Sequence, residues 1–127
     1  MLKRILVVDD SATFRDAIRS SLENQTGFEV CGEAVDGADA VEKARELKPD
    51  LILLDLVMPG MNGVEITSLL KGMMPEVPII LLTAHDDNVG KALAPVAGAS
   101  SILDKQARMS KLIECTQGLL ERSDHRA

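Results

Sequence analysis

Short aliphatic runs in this chain are repeatedly followed by residues able to do chemistry. Asp9 and Asp10 come directly after Ile5-Leu6-Val7-Val8, Asp55 after Leu51-Ile52-Leu53-Leu54, and Thr83 after Ile79-Ile80-Leu81-Leu82. Lys105 stands shortly after Ser101-Ile102-Leu103. If these runs are strands of one sheet, three carboxylates, a hydroxyl and an ammonium gather at one edge. Carboxylates so crowded repel, and the pKa of at least one rises unless a cation is present. Mg²⁺ is the natural cation, because it takes one or two carboxylates and keeps waters and phosphate oxygens for its other positions. The set suits a phosphoryl group in transit. It offers a carboxylate nucleophile, a metal and an ammonium to neutralise equatorial oxygens, and a hydroxyl to orient one of them.

The elements that must position these residues follow from periodicity. Unbroken aliphatic runs suit parallel strands covered on both faces. Phe28, Val30, Gly32 and Ala34 alternate with other residues, which predicts an edge strand with one wetter face. The run at 101–103 predicts the opposite edge. Between the strands lie helical stripes: Phe14, Ala17, Ile18, Ser21 and Leu22; Ala40, Val41, Ala44 and Leu47; Ile66, Leu69, Leu70 and Met73; Leu112, Ile113, Thr116, Leu119 and Leu120. Asp36 with Asp39, and Asn62 with Glu65, mark two helix starts. A fourth helix, between Asp86 and Val96, must hold Pro95 at its end or bend there. The last helix has Arg108 where a capping side chain is expected. Five β-α units predict an α/β fold, a doubly wound parallel five-stranded sheet, because parallel strands need crossovers. Ligands of such sheets bind beyond the carboxyl ends of the strands, at the switch point in strand order.

With 127 residues the chain amounts to one domain, read here as a folded unit over 1–122 and a C-terminal tail over 123–127. Phe14 and Phe28 are its only aromatic residues. The core must therefore be aliphatic, and a stacking platform for single-stranded nucleic acid is excluded. A formal net charge of -6 argues against direct DNA binding or attachment to an anionic membrane. No signal-peptide pattern or membrane-length apolar run is present, so the reduced cytoplasm is the expected compartment. Cys31 and Cys115 lack disulfide or metal-ligand spacing and are read as core packing, as Met73 and Met74 are read as core and helix-end filler.

Val7-Val8-Asp9-Asp10-Ser11, Leu53-Leu54-Asp55-Leu56-Val57-Met58-Pro59-Gly60-Met61-Asn62-Gly63, Leu82-Thr83-Ala84 and Asp104-Lys105 occur in this order, each at the end of a predicted strand. Taken together they resemble the receiver domain of two-component response regulators, across essentially the whole chain. The resemblance implies a flavodoxin-like (βα)5 sheet with strand order 2-1-3-4-5. It implies phosphorylation of Asp55 by a sensor histidine kinase. It also implies Mg²⁺ held directly by Asp10, Asp55 and the backbone carbonyl of Val57, with Asp9 supporting it through water. Lys105 would pair with the carboxylate and then with the phosphoryl group. The Thr83 hydroxyl would move toward a phosphoryl oxygen and draw the following loop with it, a local charge change biasing a two-state element. Pro59 and Gly60 would shape the loop beside Asp55.

Three positions depart from the family pattern. Ile102 stands where an aromatic usually turns inward on activation, so no rotating ring can report the state. Gln106 follows Lys105 where proline is common, which leaves the peptide isomer open, since a cis bond without proline costs roughly 3–4 kcal/mol. Pro95 and Ala97-Gly98-Ala99 point to a short or mobile fourth helix on the face that usually meets partners. Val57 and His85 occupy places that flank the phosphoryl group in the family. Val57 is apolar and cannot position an attacking water; His85 either does so or is a solvated loop residue, the commoner state of a lone histidine.

Each chemical residue also has a plain reading: Asp9-Asp10 as an acidic pair at a helix start, Thr83 as a cap, Lys105 as a surface lysine. Two other functions compete. An aspartate-nucleophile phosphohydrolase of the haloacid dehalogenase type needs a second acid two residues after its nucleophile, and here that residue is Val57. A non-phosphorylated pseudo-receiver, acting as a protein-binding module, does not need the full acidic pocket. Gly32-Glu33-Ala34, Asp36-Gly37 and Lys48-Pro49-Asp50 resemble receivers that precede a helix-turn-helix domain. The chain is then either stand-alone or the N-terminal half of a transcription regulator, with homodimerisation on phosphorylation as an open possibility.

Overall fold

The computed structural model describes residues 2–58, 61–84 and 88–124, and Pro59, Gly60 and His85 of the sequence reading lie outside them. Five strands form one parallel sheet: β1 (Lys3–Val8), β2 (Phe28–Ala34), β3 (Leu51–Asp55), β4 (Ile79–Thr83) and β5 (Ser101–Asp104). Their spatial order is 2-1-3-4-5. The helices are α1 (Ala12–Glu23), α2 (Gly37–Leu47), α3 (Gly63–Met73), α4 (Asn88–Ala97) and α5 (Met109–Asp124). None of the described helices is long and apolar enough to cross a membrane.

Alternation along the central strands divides the aliphatic core in two. Ile5, Val7, Leu51, Leu53, Ile80 and Leu82 face one layer with Ile18, Leu22, Leu112 and Leu120 of α1 and α5. Leu6, Val8, Ile52, Leu54, Ile79 and Leu81 face the other, with Ala40, Ala44, Leu70 and Ala94 of α2, α3 and α4. Both faces of each central strand are dry, which is why their sequences are unbroken aliphatic runs.

Edge strand β2 departs from simple alternation. Its pairing with β1 slips between Ile5 and Leu6, whose partners are Val30 and Gly32, so Cys31 is an extra residue. Such a bulge reverses which face the following residues meet. Phe28 and Val30 accordingly join the α1–α5 layer, while Cys31 and Ala34 join the other.

Helix ends follow the sequence signals. Asp36 caps α2 by accepting from Asp39 N at 2.8 Å, and Asn62 caps α3 through Val64 N and Glu65 N. At the start of α5 the Arg108 carbonyl accepts from Lys111 N and Leu112 N. Pro95 lies in the last turn of α4, and Gly98 follows with φ +103°. The Lys105–Gln106 peptide is trans. Ala17 and Leu69 are exposed despite their place in the predicted stripes, because α1 and α3 bury narrower faces centred on Ile18–Leu22 and on Leu70.

Gly63 opens α3 against the backbone of Leu56, one residue past Asp55. A Cβ there would lie 2.5 Å from the Leu56 carbonyl oxygen and 2.7 Å from its Cα, and neither backbone atom can yield cheaply. Gly118, inside α5, faces open space. Gly63→Ala should therefore destabilise the fold by about 1–3 kcal/mol, and Gly118→Ala should stabilise it by about 0.5–1 kcal/mol. Urea unfolding of the two variants beside wild type checks both the magnitudes and the opposite signs.

Candidate functional site

Strand register brings the chemical residues together. Val8 pairs with Leu54, so Asp9 emerges level with Asp55; Asp55 pairs with Leu82, and Thr83 with Asp104, so Thr83 and Lys105 follow in step. β1 and β3 are the neighbours at which the strand order reverses, where a crevice opens beyond the carboxyl ends.

Burial separates these residues from ordinary surface charges. The buried polar side chains of the described residues are Asp9, Asp55, Thr67, Thr83 and Thr116. Thr67 and Thr116 bond back to carbonyls of their own helices, to Gly63 at 2.7 Å and Leu112 at 2.8 Å. The other three all stand at the carboxyl edge of the sheet. Lys105 Nζ lies 2.8 Å from Asp9 Oδ2 and 3.0 Å from Asp55 Oδ2, bridging the two buried carboxylates. Burial alone would push the Lys105 pKa down. Close pairing with the Asp9 and Asp55 carboxylates outweighs it and holds the ammonium above its ordinary range. The Phe14 ring lies under the same ammonium, 4.6 Å from nitrogen to ring centroid. The Thr83 hydroxyl, fully buried, has no hydrogen-bond partner among the described residues.

The turn after β1 is fixed through its backbone. Ser11 N donates to Asp9 Oδ1 at 2.8 Å, and Arg15 Nη1 donates to the Asp9 carbonyl at 2.7 Å. Asp9 N donates to the Ala34 carbonyl. Arg15 Nε in turn meets Glu33 Oε1 at 2.9 Å, and Arg19 Nη2 meets Glu33 Oε2 at 2.8 Å. Partial burial of Glu33 raises its pKa, but the hydrogen bonds and charges of Arg19 and Arg15 dominate and lower it overall. Sequence reasoning overlooked Phe14, Arg15 and Glu33 at this site. The signal in the sequence is slight: an acid near the end of edge strand β2 and an arginine on the first turns of α1.

Carboxylate oxygens of Asp9, Asp10 and Asp55 can come within 4.8 Å of one another, with Asp10 exposed and the other two buried. Three carboxylates against one ammonium leave an excess of negative charge beside an unpartnered buried hydroxyl. An oxygen-liganded divalent cation fits this donor set. Val57 lies on a two-residue antiparallel ladder, Val57–Met58 with Met61–Asn62, directly after Asp55 and Leu56.

This sheet order and strand-end site define a class of signalling domain. The chain belongs to the response regulator receiver domain family, whose model matches residues 5–117. It is 42% identical over 113 residues to the response regulator protein VraR of Staphylococcus saprophyticus, covering 87% of this chain and 53% of that protein. It is 37% identical over 114 residues to the chemotaxis protein CheY of Thermotoga maritima, covering 90% of this chain and 94% of that one. A CheY-like receiver domain of Methanospirillum hungatei superimposes with a TM-score of 0.92 at 25% identity over the full length of both chains. The chain spans about half the length of the VraR relatives it matches. Receiver domains are signalling domains of two-component systems, not turnover enzymes, and those of response regulators interact with histidine kinases.

Two measurements probe the charge balance. Asp10→Asn should raise the melting temperature of the metal-free protein by relieving repulsion. It should also raise roughly tenfold the Mg²⁺ concentration that gives half-maximal stabilisation; thermal melts across a Mg²⁺ series read both. Glu33 has a lowered folded pKa, so its contribution is complete above the unfolded value of about 4.3 and fades as pH falls through the folded one. The stability gap between wild type and Glu33→Gln should hold from neutral pH down to about 5 and close at more acid pH, read by urea midpoints.

Proposed function

We propose that this domain is a phospho-acceptor switch that takes a phosphoryl group from the phosphohistidine of a sensor histidine kinase onto Asp55. The observation that carries the reading is the ammonium of Lys105 spanning two buried carboxylates beside a buried, unpartnered Thr83 hydroxyl. A structural ion pair needs one carboxylate and no orphaned donor; a site for a dianionic phosphoryl group with three oxygens uses all of them.

In this reading an Asp55 carboxylate oxygen forms the new O–P bond as the N–P bond of the donor breaks, and the electron pair leaves with the imidazole. Asp9, Asp10, Asp55 and the backbone carbonyl of Val57 would hold Mg²⁺, with Asp9 acting through water. When bound, that ion neutralises charge on the phosphoryl oxygens. Lys105 exchanges its Asp55 partner for a phosphoryl oxygen while keeping Asp9. Thr83 supplies a hydrogen bond to another oxygen, giving its buried hydroxyl the partner it lacks. The segment leaving Thr83 toward α4 follows, and that shift is the output.

Residues 1–122 form the receiver unit in this proposal, with 123–127 as its C-terminal tail. Since the VraR relatives are about twice as long, control of transcription by an attached output domain is the proposed consequence. Homodimerisation on phosphorylation and a cytoplasmic site of action belong to the same proposal; DNA contact by this acidic domain itself does not.

Incubation with acetyl phosphate and Mg²⁺ should add the mass of one phosphoryl group, read on the intact protein. Asp55→Asn and a chelated sample should both remain unmodified. Modification that persists in Asp55→Asn would reject the assignment of the acceptor. Absence of modification in wild type with Mg²⁺ bound would favour a pseudo-receiver.

A further inference from the structure

The Asp9 carbonyl belongs to the peptide that joins Asp9 to Asp10, so whatever holds it sets the direction in which Asp10 leaves the strand. Arg15 Nη1 holds it at 2.7 Å from the first turns of α1. Arg15 cannot wander, because its Nε is fixed at 2.9 Å on Glu33 Oε1. Glu33 is itself clamped: Arg19 donates to Oε2 through Nε at 3.1 Å and Nη2 at 2.8 Å, and Lys43 donates to the Glu33 carbonyl. Among the described residues, no hydrogen bond or ion pair holds the Asp10 carboxylate. That exposed ligand is therefore placed only by its backbone.

We infer that Arg15 is the positioning residue of the acidic pair, a brace from α1 and β2 that fixes the Asp9–Asp10 peptide so that Asp10 is presented to a divalent cation. The inference deepens the proposed function, since it takes Asp10 as a metal ligand. The guanidinium is suited to the work, with one edge nitrogen on a carboxylate and another on a carbonyl in a rigid plane. Lysine, a single point donor, serves one partner at a time. Residues that orient a metal ligand without touching the ion commonly change affinity by about 10–100-fold when removed.

Arg19 provides the control, because it shares Glu33 with Arg15 but makes no hydrogen bond or ion pair with Asp9 among the described residues, and Arg15 and Lys43 still hold Glu33 without it. Isothermal titration with Mg²⁺ should show Arg15→Gln weakened roughly tenfold or more, Arg15→Lys intermediate, and Arg19→Gln within about twofold of wild type. Urea unfolding without metal should show similar losses of stability for Arg15→Gln and Arg19→Gln. A second readout needs no metal: hydrogen exchange of the Asp9 and Ser11 amides should quicken about tenfold in Arg15→Gln but not in Arg19→Gln. Wild-type Mg²⁺ affinity in Arg15→Gln, or equal losses in both glutamine variants, would overturn the brace. Should wild type itself bind no Mg²⁺, the proposed function fails, and the exchange rates alone decide the brace: no difference between the two variants overturns it.

Discussion

Asp9 and Asp55 are buried side by side with one ammonium between them, and the carboxyl edge of the sheet is organised around that shortage of positive charge. Removing two carboxylates from water costs several kcal/mol per ion unless each finds a partner. Lys105 answers both at once, at 2.8 and 3.0 Å. It can do so only if β1, β3 and β5 end at the same level, although they are far apart in sequence. The register of four strand pairs enforces this, and the dry aliphatic faces of those strands enforce the register, since a slip of one residue would turn each core side chain to the wrong layer.

A second constraint acts on the ring of backbone around the site. The Lys105 amide donates to the Thr83 carbonyl, the Leu56 amide to the Leu82 carbonyl, and the Asp9 amide to the Ala34 carbonyl. Each strand end is thus tied to its neighbour one residue past the last ladder pair. Close contact of Gly63 with Leu56 pulls the start of α3 onto the chain just after Asp55. The acidic residues stand on fixed backbone, while Asp10 and the Thr83 hydroxyl keep side chains without partners among the described residues. Rigid placement of charge with freedom confined to a few side chains suits a site that must accept a ligand and then respond to it.

Most of this was legible because the sequence repeats one device: an aliphatic run of about strand length, then a polar residue. The parallel sheet and the gathering of Asp9, Asp10, Asp55, Thr83 and Lys105 at one edge follow from it; the caps at Asp36 and Asn62 carry their own signals, and the strand order came with the family resemblance. The bulge at Cys31 was illegible, because Phe28, Val30, Gly32 and Ala34 fit an alternation that the pairing with β1 breaks in space rather than in sequence. Arg15 and Glu33 stayed hidden for a related reason. Each looks like a solvated charge on its own element, and only the packing of α1 beside β2 makes them a pair. Ala17 and Leu69 illustrate the limit of helical periodicity, which finds the apolar face but not how much of it a neighbour covers.

Ile102 places a physical bound on how a change at Asp55 can travel. Branching at Cβ leaves it few χ1 states, and it packs against the core layer of α2, α3 and α4 in the strand that pairs with β4. A swinging aromatic lever is therefore missing from β5. Thr83 is held at its carbonyl by Lys105 N, while its buried hydroxyl keeps no partner among the described residues. In α4, the helix that comes next, Leu93 and Val96 are exposed and the last turn carries Pro95. Proline removes one donor from the helical ladder there, which lowers the cost of rearranging the end of the helix.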